Sequence, residues 1–235
     1  MTSFELARLQ GADGVEFDVQ LSSDGVPMVI HDARLERTTS GSGWVWEHRA
    51  SVLRRLDAGS WFNRRHPLRA RERYAGARIP LLAEALAWAK ARQCLAFVEV
   101  KQPGPEVSER VRREIEHAGA WDWVRVVSFE AATLEQARRW DAPAHLGLNF
   151  SAQLGAIARA RALGAELLLP HWVLASRRFI RRAHRYSLPV IPWTVNSTLH
   201  MRRKILDGAD GLVTNFPARL TAVLERLAAK GEANA

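Results

Sequence analysis

Cysteine is almost missing from this chain. Cys94 is the only one in 235 residues, so no internal disulfide can staple the fold, and a reducing, cytoplasmic setting is expected. Long apolar runs are missing too. None approaches the roughly 20 residues that a membrane-spanning helix needs, so no transmembrane segment is expected. The opening residues, MTSFELARLQ, carry charges where a secretion signal would have its apolar stretch. Acidic residues are outnumbered, 25 Asp and Glu against 34 Lys and Arg, which leaves a net charge of +9.

Much of that excess is local. Arg49, Arg54, Arg55, Arg64, Arg65, Arg69, Arg71, Arg73 and Arg78 fall in one short stretch. Such a field attracts anions, but no nucleic-acid-binding module accompanies it, so no specific nucleic-acid partner is expected. A solvated basic surface is the simpler account. With 47% apolar residues, the chain can bury a substantial core and fits one domain of barrel size, 1–235.

Gly11–His31, GADGVEFDVQLSSDGVPMVIH, reads as two short strands joined at Ser23-Asp24-Gly25. Val15, Phe17 and Val19 alternate with Glu16, Asp18 and Gln20, so Glu16 and Asp18 point the same way, ~6.5 Å apart along the strand. Two carboxylates that close repel unless a positive charge sits between them, and hard divalent cations prefer carboxylate oxygen. Taken alone, paired acids on a strand are more often a solvated face than a metal site.

After residue 80, helical and extended segments alternate, which argues for a parallel sheet with crossover helices. Seven parallel strands are expected, near residues 15, 97, 126, 147, 168, 191 and 212. Residues 32–79 break the rhythm and read as an irregular inserted subdomain over one end of a barrel. The expected fold is an α/β, TIM (β/α)8-type barrel lacking its first strand as written. A doubly wound open sheet is the alternative. Polar strand ends (Glu16/Asp18, Glu99/Lys101, Ser128, Asn149, His171, Trp193/Asn196 and Asn215) suit a barrel mouth better. Glu99 and Lys101 share a face by the same alternation, adding a third carboxylate and a cation.

These segments resemble the glycerophosphodiester phosphodiesterases, TIM barrels with an inserted subdomain. The matching stretches are GADGVEFDVQLSSDGVPMVIHDARLERTTSGSG at 11–43, IPLLAEAL at 79–86, VEVK at 98–101, SF at 128–129, WTVN at 193–196 and DGLVTNFP at 210–217. The resemblance implies Glu16, Asp18 and Glu99 as ligands of Ca²⁺ or Mg²⁺, Lys101 on the phosphate side, and His31 as one of two catalytic histidines. Trp193 is expected to wall the substrate pocket. The implied reaction is hydrolysis of a small glycerophosphodiester to glycerol 3-phosphate and an alcohol. One imidazole would take a proton from the nucleophile and the other would give one to the leaving alkoxide.

The family opens with a strand ending in His-Arg-Gly and a Glu-Asn-Thr turn, and this sequence begins after both. A start assigned too far downstream, or a true truncation, is expected, with weak turnover as written. The rival functions are a catalytically inactive barrel remnant and a basic polyanion-binding protein. Phospholipase-C-like and sphingomyelinase-D-like barrels use similar acids, but the segments after residue 79 favour the glycerophosphodiesterases. His48, His66, His117, His145, His184 and His200 are expected to be solvated, in the insertion or at helix-side positions.

Overall fold

The computed structural model describes residues 1–152 and 154–231. Helix α1 (Thr2–Leu9) leads into strand β1 (Gly14–Leu21), which turns at Gly25 into the short strand β2 (Pro27–Val29). Residues 32–79 contain only short helical pieces, among them α2 (Ala50–Leu53) and α3 (Ser60–Arg65). The alternating part follows as α4 (Leu82–Ala91), β3 (Leu95–Val100), α5 (Pro105–Ala118), β4 (Val124–Ser128), α6 (Ala131–Ala137), β5 (His145–Phe150), α7 (Ala156–Leu163) and β6 (Leu167–Pro170). Helices α8 (Arg177–His184), α9 (Thr198–Leu206) and α10 (Pro217–Ala229) complete it.

The sheet runs β2-β1-β3-β4-β5-β6, with β2 antiparallel to β1 and every other pairing parallel. Among the described residues it has six strands and is not closed by hydrogen bonds. Two of the seven expected parallel strands are therefore not ladder strands. Residues 190–195 meet β6 at the isolated bridges Leu168–Val190 and His171–Trp193, with Ile191 N–H donating to the Leu168 carbonyl and Trp193 N–H to the Pro170 carbonyl, but form no regular strand. The segment at 210–213 reaches them through Asp210 N–H to the Val190 carbonyl, Val213 N–H to Pro192 and Val195 N–H to Val213. Pro189 and Pro192 lack the N–H that a regular ladder would use. Gln153, shortly before α7, lies outside the described residues. His145 is the first residue of β5.

Each strand has two destinations for its side chains. Val15, Phe17, Val19, Ala96, Val98 and Val100 face outward into the main core, under the helices. Phe4 of α1 meets Phe17 and Trp88 at ring-centroid distances of 5.4 and 5.5 Å, which pins the first helix to β1 and α4. The opposite face builds a separate apolar plug of Val127, Leu167 and Leu169, with Phe97, Ile191 and Trp193 packed against it. Gly147 is required there. A Cβ at this position would lie 2.7 Å from Leu169, 2.9 Å from Val127 and 3.0 Å from Leu167, closer than side chains pack. The insertion has its own small core, in which Leu35, Val45, Leu53 and Ile79 gather around Met28 and Ile30. Among the described residues, no helix is long and apolar enough to cross a membrane.

Candidate active site

The acids singled out above meet above the apolar plug. Parallel pairing sets Asp18 across from Glu99, and Glu16 lies two residues earlier on the same face of β1. One carboxylate oxygen from each of the three lies within 4.8 Å of the others. Lys101, just past the end of β3, joins them. Its Nζ donates to Asp18 Oδ1 at 2.9 Å and to Glu99 Oε1 at 2.6 Å. Asn149 on β5 donates through Nδ2 to Glu99 Oε2 at 2.7 Å, while its own buried Oδ1 has no partner among the described residues.

The charges do not balance, because three carboxylates face one ammonium. Burial, and after it the charges of Asp18 and Glu99, push the Glu16 carboxyl up to about 8, with Lys101 pulling back. Burial also raises Glu99, against the opposing pull of Lys101 and His31. Burial alone would lower Lys101, but Glu99 and Asp18 outweigh it and hold the ammonium above its usual value. A further cation would relieve this excess of negative charge. The donor set is all oxygen, with two negative groups left after Lys101, an unpartnered amide oxygen beside Glu99, and no thiolate or imidazole. That chemistry fits a hard divalent ion such as Ca²⁺ or Mg²⁺ rather than a softer transition metal.

His31 follows β2. Gln20 fixes its backbone by donating from Nε2 to the carbonyls of Ile30 and His31, at 3.2 and 3.0 Å. The ring stands in solvent, with the side chain 64% exposed, and Nδ1 lies 2.6 Å from Asp32 Oδ1. Arg37 grips Asp32 with Nε on one oxygen and Nη2 on the other, the second bond at 2.7 Å. That grip, and after it the His31 bond, holds the Asp32 carboxyl down at about 2 despite partial burial. With Nδ1 occupied, Nε2 is the nitrogen left free to exchange a proton.

Trp193 stands on the plug. Its indole N–H donates to the Leu169 carbonyl at 2.7 Å, and its ring packs edge-on against Phe129 and His171 at 5.4 and 5.2 Å. Only the ring is left for a ligand, since the N–H is already used. Asn196 accepts from Asn215 N–H at 3.0 Å and from the Thr214 hydroxyl at 3.3 Å, a loop-fixing role. Sequence reasoning missed the bond from Asn149 to Glu99 and the Asp32–Arg37 support of His31. Asn149 was already visible as a polar strand end, but which acid it would meet depends on strand order.

A sequence profile described as the glycerophosphoryl diester phosphodiesterase family matches residues 1–219. The chain belongs to this family. A glycerophosphodiester phosphodiesterase of Bacillus subtilis (strain 168) is 30% identical over 233 residues, spanning 92% of this chain and 78% of the relative. Another, from Caldanaerobacter subterraneus subsp. tengcongensis, is 30% identical over 232 residues, spanning 96% and 91%. Among solved structures, an Oleispira antarctica phosphodiesterase in complex with the product sn-glycerol-3-phosphate is similar, with a TM-score of 0.87 and 25% identity over 95% of this chain and 90% of that one. Family membership and this structural likeness make the fold an α/β barrel of TIM type, although its hydrogen-bonded sheet stops at six strands among the described residues.

Proposed function

We propose that this chain hydrolyses small glycerophosphodiesters to glycerol 3-phosphate and an alcohol, with Glu16, Asp18 and Glu99 holding a divalent cation, Ca²⁺ or Mg²⁺. One observation carries the reading. Three carboxylates from two adjacent parallel strands converge within 4.8 Å beside a lysine, level with the C-terminal end of β3, the side on which barrel enzymes do their chemistry. The family relatives named for this activity, and the bound product in one of them, support the same reading.

When bound, the cation supplies Lewis-acid stabilisation of charge on a non-bridging phosphoryl oxygen. Lys101 binds the same phosphoryl group as a point charge. Asn149 orients Glu99 and so fixes one ligand of the three. His31 moves a proton at Nε2, while Asp32, itself held by Arg37, sets the tautomer with the Nδ1 proton. Trp193 offers a ring face as one wall for the alcohol. Residues 32–79 form a small subdomain over this mouth.

The test is release of glycerol 3-phosphate from glycerophosphocholine with Mg²⁺ or Ca²⁺ present. Turnover is expected with at least one ion, to stop on chelation, and to fall ~10²-fold or more for His31→Ala, the range for loss of a general acid or base. Ion binding without turnover would overturn the enzymatic reading in favour of a non-catalytic barrel.

A further inference from the structure

The basic stretch noted in the sequence is not used by the site described above. Residues 64–78 hold six arginines (Arg64, Arg65, Arg69, Arg71, Arg73 and Arg78) against one acid, Glu72. Among the described residues, none of the six forms an ion pair, whereas Arg37, Arg54 and Arg112 elsewhere each sit on a carboxylate. An aliphatic side chain stands in the middle of this charge. Leu68, in the 3-10 turn Pro67–Arg69, is 95% exposed.

The loop that carries these residues is ordered. Asn63 clasps Arg71, donating from Nδ2 to its carbonyl at 2.8 Å and accepting its N–H at 3.0 Å. Phe62 packs against His66 and Tyr74 at 4.8 and 5.7 Å. Gly59 lets the Tyr74 carbonyl come so close that any Cβ would lie 1.7 Å from it. Asp57 accepts the N–H groups of Gly59 and Ser60, at 2.8 and 2.9 Å, at the start of α3. Arg69 lies 5.0 Å above the Phe216 ring, which Arg219 also covers at 4.1 Å. Phe216 immediately precedes α10, so the basic loop leans on the segment that ends the barrel. The loop is preformed, and little ordering would be needed on binding.

From this arrangement we propose that the 64–78 loop docks onto a lipid bilayer surface containing anionic phospholipid, with the arginines on head groups and Leu68 in the interface. A bilayer satisfies both features together, since anionic lipid attracts arginine at its surface and the head-group boundary accepts a leucine. Single-stranded nucleic acid would use exposed aromatic platforms. Here Phe62 and Tyr74 pack on each other, and Trp61 spends its N–H on the Ala58 carbonyl at 3.0 Å. The proposal does not depend on the hydrolytic activity.

The experiment is co-sedimentation of the full chain with vesicles of phosphatidylcholine alone, and with phosphatidylcholine containing about one-third phosphatidylglycerol. Binding is expected only to the anionic vesicles, weakening as salt is raised. Each arginine is worth about fivefold in partitioning, so Arg64→Gln with Arg65→Gln should cost ~25-fold. Leu68→Ser should cost about tenfold. All three positions are exposed, and unchanged thermal melting of the variants would verify that they fold. Failure to bind anionic vesicles at low salt would overturn the proposal, as would equal binding to the zwitterionic ones or indifference to both variants. Tighter binding to an oligonucleotide than to vesicles, weakened by the arginine changes but not by Leu68→Ser, would overturn it in favour of a polyanion surface.

Discussion

Two crowded sets of like charge sit in this molecule under opposite conditions. Glu16, Asp18 and Glu99 are fixed by a rigid parallel sheet in a largely buried hollow, with one lysine among them. The six arginines of 64–78 share a loop surface in water. Burial, and after it the repulsion of acids that cannot separate, raises the Glu16 carboxyl to about 8. Water and salt screen the arginines, all six of which are exposed. A buried cluster therefore calls for a specific small ion in a fixed place, while an exposed one suits an extended, diffuse anion. Charge density alone does not distinguish these cases, whereas burial does.

The contrast can be broken most sharply at Glu16. Glu16→Gln removes one of three ligands and one source of repulsion. Divalent-ion affinity by calorimetry should fall ~100-fold or more, beyond the 10–100-fold typical of losing an outer-shell partner, while the metal-free protein melts no lower than the parent. A clear loss of metal-free stability would mean that the acids are not in conflict. Next is Asn149→Ala, which leaves Glu99 Oε2 without its donor. Ion affinity should drop ~10–100-fold, and urea denaturation should show a loss of about 1–3 kcal/mol for the orphaned oxygen.

A smaller effect follows from pH. Glu16 has a folded value near 8 against roughly 4.3 when unfolded. Between these the folded state holds the extra proton, so stability falls as pH rises through that window. Melting of the metal-free chain should decline from about pH 5 toward pH 8, and saturating Ca²⁺ should flatten the slope. A metal-free slope of the opposite sign would remove the electrostatic account of the acid cluster. The smallest effect belongs to the arginines. Arg64→Gln with Arg65→Gln should change unfolding free energy by less than about 0.5 kcal/mol, since both side chains are exposed and neither forms an ion pair among the described residues. A larger change would show that the loop contributes to the fold.

Much of this was written locally. Side-chain alternation is a property of the extended backbone of each strand, so the sequence by itself put Glu16 with Asp18 on one face and Glu99 with Lys101 on another. The motifs around them were enough for the family, and the rhythm after residue 80 gave the α/β barrel class. Tertiary structure decided how those two faces meet. The pairing of Asp18 with Glu99, the bond from Asn149 to Glu99 across 50 positions of sequence, and the placing of Lys101 between two acids depend on sheet register and strand order, which no local pattern encodes. The same holds for the Trp193 N–H spent on Leu169 and for Arg69 resting on Phe216. Each is a contact between distant segments, fixed only when the whole chain packs.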